Sequence, residues 1–205
     1  MFRAERSSGV TTMKPSFKAY SSMHIKGGLL RARFLFVVLN HGPDSWARIL
    51  AKLPEEDRRV AGDIVVDTWY ALSTLEQIDR AIAEESAGND EKVFDQLGEF
   101  SATSSLSGPY SSLINPDIHS FLTQSALIHR SYQDFGAAAY EELSETSGLL
   151  TIKYETAPPL SFCISGTAYF RHAIELCGAH AASITHTRCC GRGDSVCEFY
   201  VTWQP

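Results

Sequence analysis

Several features that would assign a function at once are missing from this 205-residue sequence. No apolar run approaches the roughly 20 residues that cross a bilayer. Basic side chains are in the minority, 18 Lys and Arg against 24 Asp and Glu, for a formal charge of −6. A polyanion is held by neutralising its phosphates, so nucleic acid is not an expected partner. The positively charged start lacks the continuous apolar core of a secretory signal, because "SSGVTTMKPS" interrupts it. That places the expected compartment in the reducing cytoplasm. No glycine-rich phosphate loop occurs, since "RGD" and "KGG" are too short. No nucleophile–base pair or open metal triad has catalytic spacing, so no catalytic residue is assigned. There is no internal repeat and no low-complexity linker.

What remains is a globular composition, 44% hydrophobic and 20% charged, on a chain long enough to bury a core. Arg3, Arg6, Lys14, Lys18 and Lys26 oppose only Glu5 at the N-terminus. Residues 1–25 read as a polar basic arm and 26–205 as a single domain.

Local patterns give the elements. The apolar run Phe34 to Leu39 predicts a buried helix stopped by Gly42-Pro43. "PDSWARILAKLP" predicts a short helix between two prolines. Ala71, Leu75, Ile78 and Ile82 form a helical stripe behind an Asp67 or Thr68 cap. Val93, Leu97 and Phe100 form another behind Asn89/Asp90. Ile118, Phe121, Ser125, Ile128, Tyr132 and Phe135 predict one helix ended by Gly136. "AAYEEL" and "LLTIKYET" predict a β-hairpin turning at Ser147-Gly148. "LSFCISGTAYFRHAIELCG" is helical behind Pro158-Pro159, and "AHAASITHT" and "VCEFYVTW" are strands around "CCGRGDS". The fold class is α+β, with N-terminal helices packed on a small antiparallel sheet.

The densest chemistry is "HTRCCGRGDSVCEF". His186 and Cys189 are separated by two residues, and Cys189 and Cys197 flank a glycine turn that brings them together. A fourth metal ligand has three candidates: Cys163, Cys177 and Cys190. Cys163 and Cys177 lie fourteen residues apart on one helix, about 21 Å at 1.5 Å per residue, so they cannot serve one ion. Cys163 occupies the first turn, where the helix dipole favours a thiolate. Cys177 reads as a buried hydrophobe, and Cys190 projects away from its neighbour Cys189. Cys163, His186, Cys189 and Cys197 then make a closed tetrahedral set, suited to structural zinc. The set requires a bulge at Thr187-Arg188, or His186 and Cys189 would face opposite ways. Metal-free buried cysteines and a vicinal Cys189-Cys190 redox switch remain open alternatives. The "RGD" reads as a turn.

With "YFRHAIELCGA" before it, "HTRCCGRGDSVCEFYVTW" resembles the C-terminal part of the 4-vinyl-reductase domain, found in aromatic-responsive transcription activators. The resemblance implies metal ligands at Cys163, His186, Cys189 and Cys197, with His186 where aromatic sensors usually carry glutamate. Upstream, "KGGLLRARFLFVVLNHGPDSWARILAKLPEEDRR" and "WYALSTLEQIDRAIAEE" are similar to myxobacterial proteins of about this length. These belong to a superfamily that includes haem-nitric-oxide-binding domains and TRAPP vesicle-tethering subunits. The superfamily implies a cavity between helices and a twisted sheet, often in a homodimer. Its expected lining is Phe121, Ile128 and Tyr132, with Tyr169, Ala173 and Ile184, and its expected occupant a small apolar or aromatic molecule. The implied function is a stand-alone sensor that signals through a dimer or a partner protein. A tethering scaffold is the first alternative, and a haem gas sensor using His129 the second. Against haem, "PYSSL" lacks the arginine of the propionate clamp.

Overall fold

The computed structural model describes residues 20–205 apart from 87 and 89. Two strands and five helices build the first half. Strand β1 (His24–Lys26) runs directly into helix α1 (Gly27–His41). Gly42 turns the chain, and Pro43 opens α2 (Pro43–Lys52), where its missing N–H costs nothing. Pro54 then precedes α3 (Glu55–Gly62), whose first turn carries Glu55, Glu56 and Asp57 against the positive end of the helix dipole. Strand β2 (Trp69–Ala71) pairs antiparallel with β1, Ile25 opposite Tyr70. Helices α4 (Leu72–Ser86) and α5 (Lys92–Leu106) follow.

The second half holds α6 (Ile118–Leu127), the hairpin β3 (Ala137–Ser144) and β4 (Ser147–Lys153), and α7 (Leu160–Leu176). It closes with β5 (His180–Arg188) and β6 (Cys197–Gln204). The four strands form one antiparallel sheet in the order β3-β4-β6-β5. The class is α+β, as the sequence pattern predicts.

Two hydrophobic cores result. One is helical and includes Leu30, Val37, Ile49, Leu75, Ile78 and Ile82. The other fills the space between α6, α7 and the sheet, with Phe121, Leu122, Leu150, Ile174 and Val201 at its centre. Helices α5 and α7 join them. At their crossing a Cβ on Gly98 would overlap the Ser165 carbonyl oxygen, so the absent side chain sets how closely they approach. No helix among the described residues is long and apolar enough to cross a membrane.

Four expectations need correction. Tyr20, Met23 and Ile25 are buried at 5%, 5% and 0% exposure, so the core reaches into the expected arm of residues 1–25. Residues 1–19 of that arm lie outside the described residues, as does Asn89 of the expected α5 cap. Asp90 accepts from the Lys92 N–H at 3.0 Å. Helix α4 starts at Leu72, beyond the Asp67 or Thr68 cap, because residues 69–71 are engaged with β1. The first hairpin turns at Glu145-Thr146, and Ser147-Gly148 belong to β4.

The expected helix through Phe135 ends at Leu127 and continues as a 3-10 turn, His129–Ser131. The following residues need extended backbone. Lys26 N–H donates to the Tyr132 carbonyl at 2.8 Å, and Asp134 N–H donates to the His24 carbonyl at 3.0 Å. The Asp134 carboxylate also receives the His24 backbone N–H and meets its Nδ1, both at 2.7 Å.

Candidate metal centre and adjoining cavity

Pro158-Pro159 fixes where α7 begins, and the Pro159 carbonyl accepts from the N–H groups of Phe162 and Cys163 at 3.0 and 3.3 Å. Cys163 therefore sits in the first turn, facing the sheet. The register of β5 against β6 shifts between His186 and Arg188, a bulge at Thr187 of the kind the ligand set requires. Beyond it the chain folds into a 3-10 turn, Cys190–Arg192, closed by Gly193 at φ 104°. Asp194 of the "RGD" accepts from the Cys189 N–H at 2.7 Å, so this triplet braces a turn.

These local choices bring Cys163, Cys189 and Cys197 together, all buried, with their sulphurs within 4.8 Å of one another. The Cys163 and Cys197 sulphurs are 3.9 Å apart. That is far beyond a disulfide bond. It is near the ~3.8 Å that separates two sulphurs at 2.3 Å from a tetrahedral zinc. His186 stands outside this tight trio. Its ring stacks on Phe199, centroids 4.2 Å apart, and its Nε2 is buried without a hydrogen-bond partner. A buried imidazole nitrogen left without a partner is costly, and metal ligation would remove that cost. The donor set thus fits a zinc ion held by three sulphurs and one nitrogen.

Proton sharing follows the same geometry. The Cys163 thiol, beside Cys189 and Cys197, is pushed well above the ordinary thiol range. Its neighbour Cys197 is drawn down to about 4, chiefly by Cys163 and further by His186. Cys189 is drawn down to about 6, again chiefly by Cys163. Thiolate is the form that binds metal. Cys190 behaves otherwise: burial lifts it to about 12, although its backbone N–H donates to the Cys197 sulphur at 3.4 Å. Cys177 is buried beyond the far end of α7, remote from the trio.

A cavity of about 390 Å³ adjoins this centre, enclosed by α1, α5, α7, residues 128–133 and the inner face of β4 and β6. Cys163, Cys197 and Phe199 form part of its wall. Of the six expected lining residues, Ile128, Tyr132 and Tyr169 line it and Phe121, Ala173 and Ile184 do not. Phe121 and Ala173 are fully buried in the helix–sheet core. Ile184 lies on the edge strand β5, whereas the wall is made by β4 and β6. Burial keeps the Tyr132 and Tyr169 hydroxyls protonated, and Tyr169 shares a hydrogen bond with Ser105 at 3.0 Å.

His129 also lines the cavity, buried at 3% exposure. Its Nε2 is engaged by the Phe135 carbonyl at 3.1 Å and the Gln133 amide at 3.0 Å. An axial haem ligand needs a ring nitrogen for iron, and Nε2 is engaged; Tyr110 of "PYSSL" lines the same cavity, without the arginine of a propionate clamp. In this arrangement Nε2 is not free for iron.

Sequence reasoning missed Arg33, which lines the cavity while 2% exposed. It pairs with Asp79, Nε to Oδ1 at 3.0 Å. A signal existed: Arg33 interrupts the apolar stretch "LLRARFLFVV", and Asp79 follows Ile78 on the buried side of α4. Charges on buried faces are rarely left unpaired.

The fold is that of H-NOX domains. A crystal structure of an H-NOX protein from S. oneidensis in the Fe(II)NO ligation state superposes with a TM-score of 0.71 at 18% identity, over 88% of this chain and 100% of that one. Fe(II) unliganded H-NOX protein from K. algicida gives 0.65 at 12%, over 88% and 97%. An oxygen-binding H-NOX domain related to soluble guanylate cyclases gives 0.67 at 10%, over 88% and 96%. No family model matches the sequence, the 4-vinyl-reductase domain included, and no curated protein matches it.

Proposed function

We propose that this chain is a small-molecule sensory module of the 4-vinyl-reductase type, with a structural zinc. The cavity takes a small, largely apolar ligand. Zinc on Cys163, His186, Cys189 and Cys197 pins the β5–β6 hairpin to α7. The signal passes through a homodimer or a partner protein in the cytoplasm. One observation carries this reading: a cavity of about 390 Å³ has in its wall Cys163 and Cys197, two of the three cysteines of the candidate metal centre. Its volume falls within the roughly 300–1,000 Å³ of small-ligand pockets. The same open cavity disfavours the tethering-scaffold reading, which calls for a collapsed interior.

Elemental analysis of protein purified without a histidine tag tests the zinc. One zinc per chain is expected, lost in Cys189→Ser and retained in Cys177→Ser. Metal-free, well-folded wild-type protein would sink the staple.

The second reading is a haem gas sensor, favoured by His129 at the cavity wall and by the iron-ligated H-NOX neighbours. It requires His129 to offer iron a ring nitrogen that neither Phe135 nor Gln133 engages. The absorption spectrum of the same protein, after titration with haemin, decides: a Soret band abolished by His129→Ala would put haem ahead of the apolar ligand.

A further inference from the structure

The cavity wall is polar and charged at one deep corner. Arg33 donates from Nε to Asp79 Oδ1 at 3.0 Å, and from Nη2 to Asp79 Oδ2 at 3.3 Å and Ser165 Oγ at 3.0 Å. From Nη1 it donates to Ser101 Oγ at 2.8 Å. A guanidinium has five N–H groups. Four are accounted for, and the fifth, on Nη1, finds no acceptor among the described residues.

The partners show which edge of the guanidinium meets the cavity. Arg33 and Ser101 both line it, while Asp79 and Ser165 do not. The Nη1 corner is therefore the one at the wall. Ser101 has no hydrogen left to offer there, since its hydroxyl donates to the Leu97 carbonyl at 2.6 Å. The corner presents one buried donor that lacks an acceptor, and such a group costs stability until an acceptor arrives.

Charge selects the acceptor. Asp79 already neutralises Arg33, so a ligand carboxylate would bring an uncompensated negative charge into an apolar enclosure. A neutral oxygen meets the donor without that penalty. A carbonyl suits best, having lone pairs and no hydrogen that needs a partner of its own. The rest of the wall is mainly apolar and aromatic, with Phe162 and Phe170 of α7 in it, and its next polar groups along α5 are the hydroxyls of Ser104 and Ser105.

We propose that the cavity binds a small, mainly hydrocarbon molecule carrying a neutral carbonyl, whose oxygen accepts the spare Nη1 N–H of Arg33. This rests on the cavity being a ligand site, and it specifies the ligand's chemistry and its orientation, carbonyl end toward α1.

Three probes of one shape test it by isothermal titration calorimetry on the full chain: 2-acetylnaphthalene, 2-isopropenylnaphthalene and 2-naphthoate. The ketone is expected to bind about tenfold more tightly than the hydrocarbon, the worth of one charge-assisted hydrogen bond. The naphthoate should be weaker than the ketone. Arg33→Met alone strands Asp79, so the variant used is Arg33→Met/Asp79→Leu, checked for folding by circular dichroism. It should still bind the hydrocarbon, with the ketone preference lost.

Equal wild-type binding of ketone and hydrocarbon overturns the carbonyl and leaves the cavity reading standing. Tightest binding by naphthoate overturns its neutrality. A ketone preference that survives in the folded double variant removes Arg33 from the account. Binding of none of the three overturns this proposal together with the cavity reading. The wild-type comparison decides even where the double variant does not fold.

Discussion

His129 holds its imidazole in the interior, where burial pushes its pKa below the ordinary histidine value. The Phe135 carbonyl opposes that shift, and Arg130 adds to it. The unfolded chain therefore binds a proton at His129 more readily than the folded one. Stability is present in full above the unfolded value of about 6.5 and is lost as pH falls from there toward the folded pKa. Thermal unfolding between pH 7.5 and 5.5 should show a falling midpoint, with part of that slope absent in His129→Gln. An unchanged slope in the variant would place the pH dependence elsewhere. The same residue shows what a sequence can disclose at this scale. That His129 belongs to the cavity was legible from a resemblance. That its Nε2 is taken by a carbonyl six residues ahead was not, because a 3-10 turn and the pairing of residues 132–134 with β1 create that contact.

Among the elements, the contact between α5 and α7 is the one most exposed to small changes. Gly98 faces the Ser165 carbonyl with no room for a side chain. Gly98→Ala would raise intrinsic helix propensity by about 1 kcal/mol on an isolated helix. Here it must push the helices apart, and overpacking of this kind costs about 1–3 kcal/mol. Net destabilisation is expected by urea unfolding, accompanied by weaker probe binding, since both helices wall the cavity. A stabilised variant would mean that the helices part without cost. Elements punctuated by proline or glycine were readable from sequence: α1, α2 and α7 begin or end where Gly42-Pro43, Pro54 and Pro158-Pro159 place them. The boundaries that failed share one cause. Residues 69–71 and 132–134 leave their helical patterns to pair with β1, a three-residue strand that no local pattern announces. Half the expected cavity lining failed for a related reason: a helical stripe fixes a face, but not how far along it the cavity extends.

At the scale of the molecule, two cores meet along α5 and α7, and the cysteine trio of the candidate metal centre belongs to the second. A staple there should act locally. Chelation of the metal is expected to raise amide hydrogen exchange in β5 and β6, while α1 and α4 keep their protection. Uniform loss across the chain would show instead that zinc supports the entire fold, and no change would show that the hairpin stands without it. The cysteine trio was legible because Cys189 and Cys197 flank one turn and, of the remaining cysteines, only Cys163 opens a helix, as the family resemblance also implied. The Arg33 corner was not recognised because three of its partners, Asp79, Ser101 and Ser165, arrive from three other helices.

Phe199 has one further consequence. It lies against the His186 ring and also forms cavity wall, flanked there by Cys163 and Cys197. On this side a change of residue size would shift the His186 ring and the cysteines proposed to hold the metal. The side built by α1 and α5 is held by other contacts, the Arg33 network and the Gly98 crossing, which leave the cysteines untouched. A redesign of what the cavity accepts is therefore best begun on the helical side, where a change does not reach the proposed metal centre.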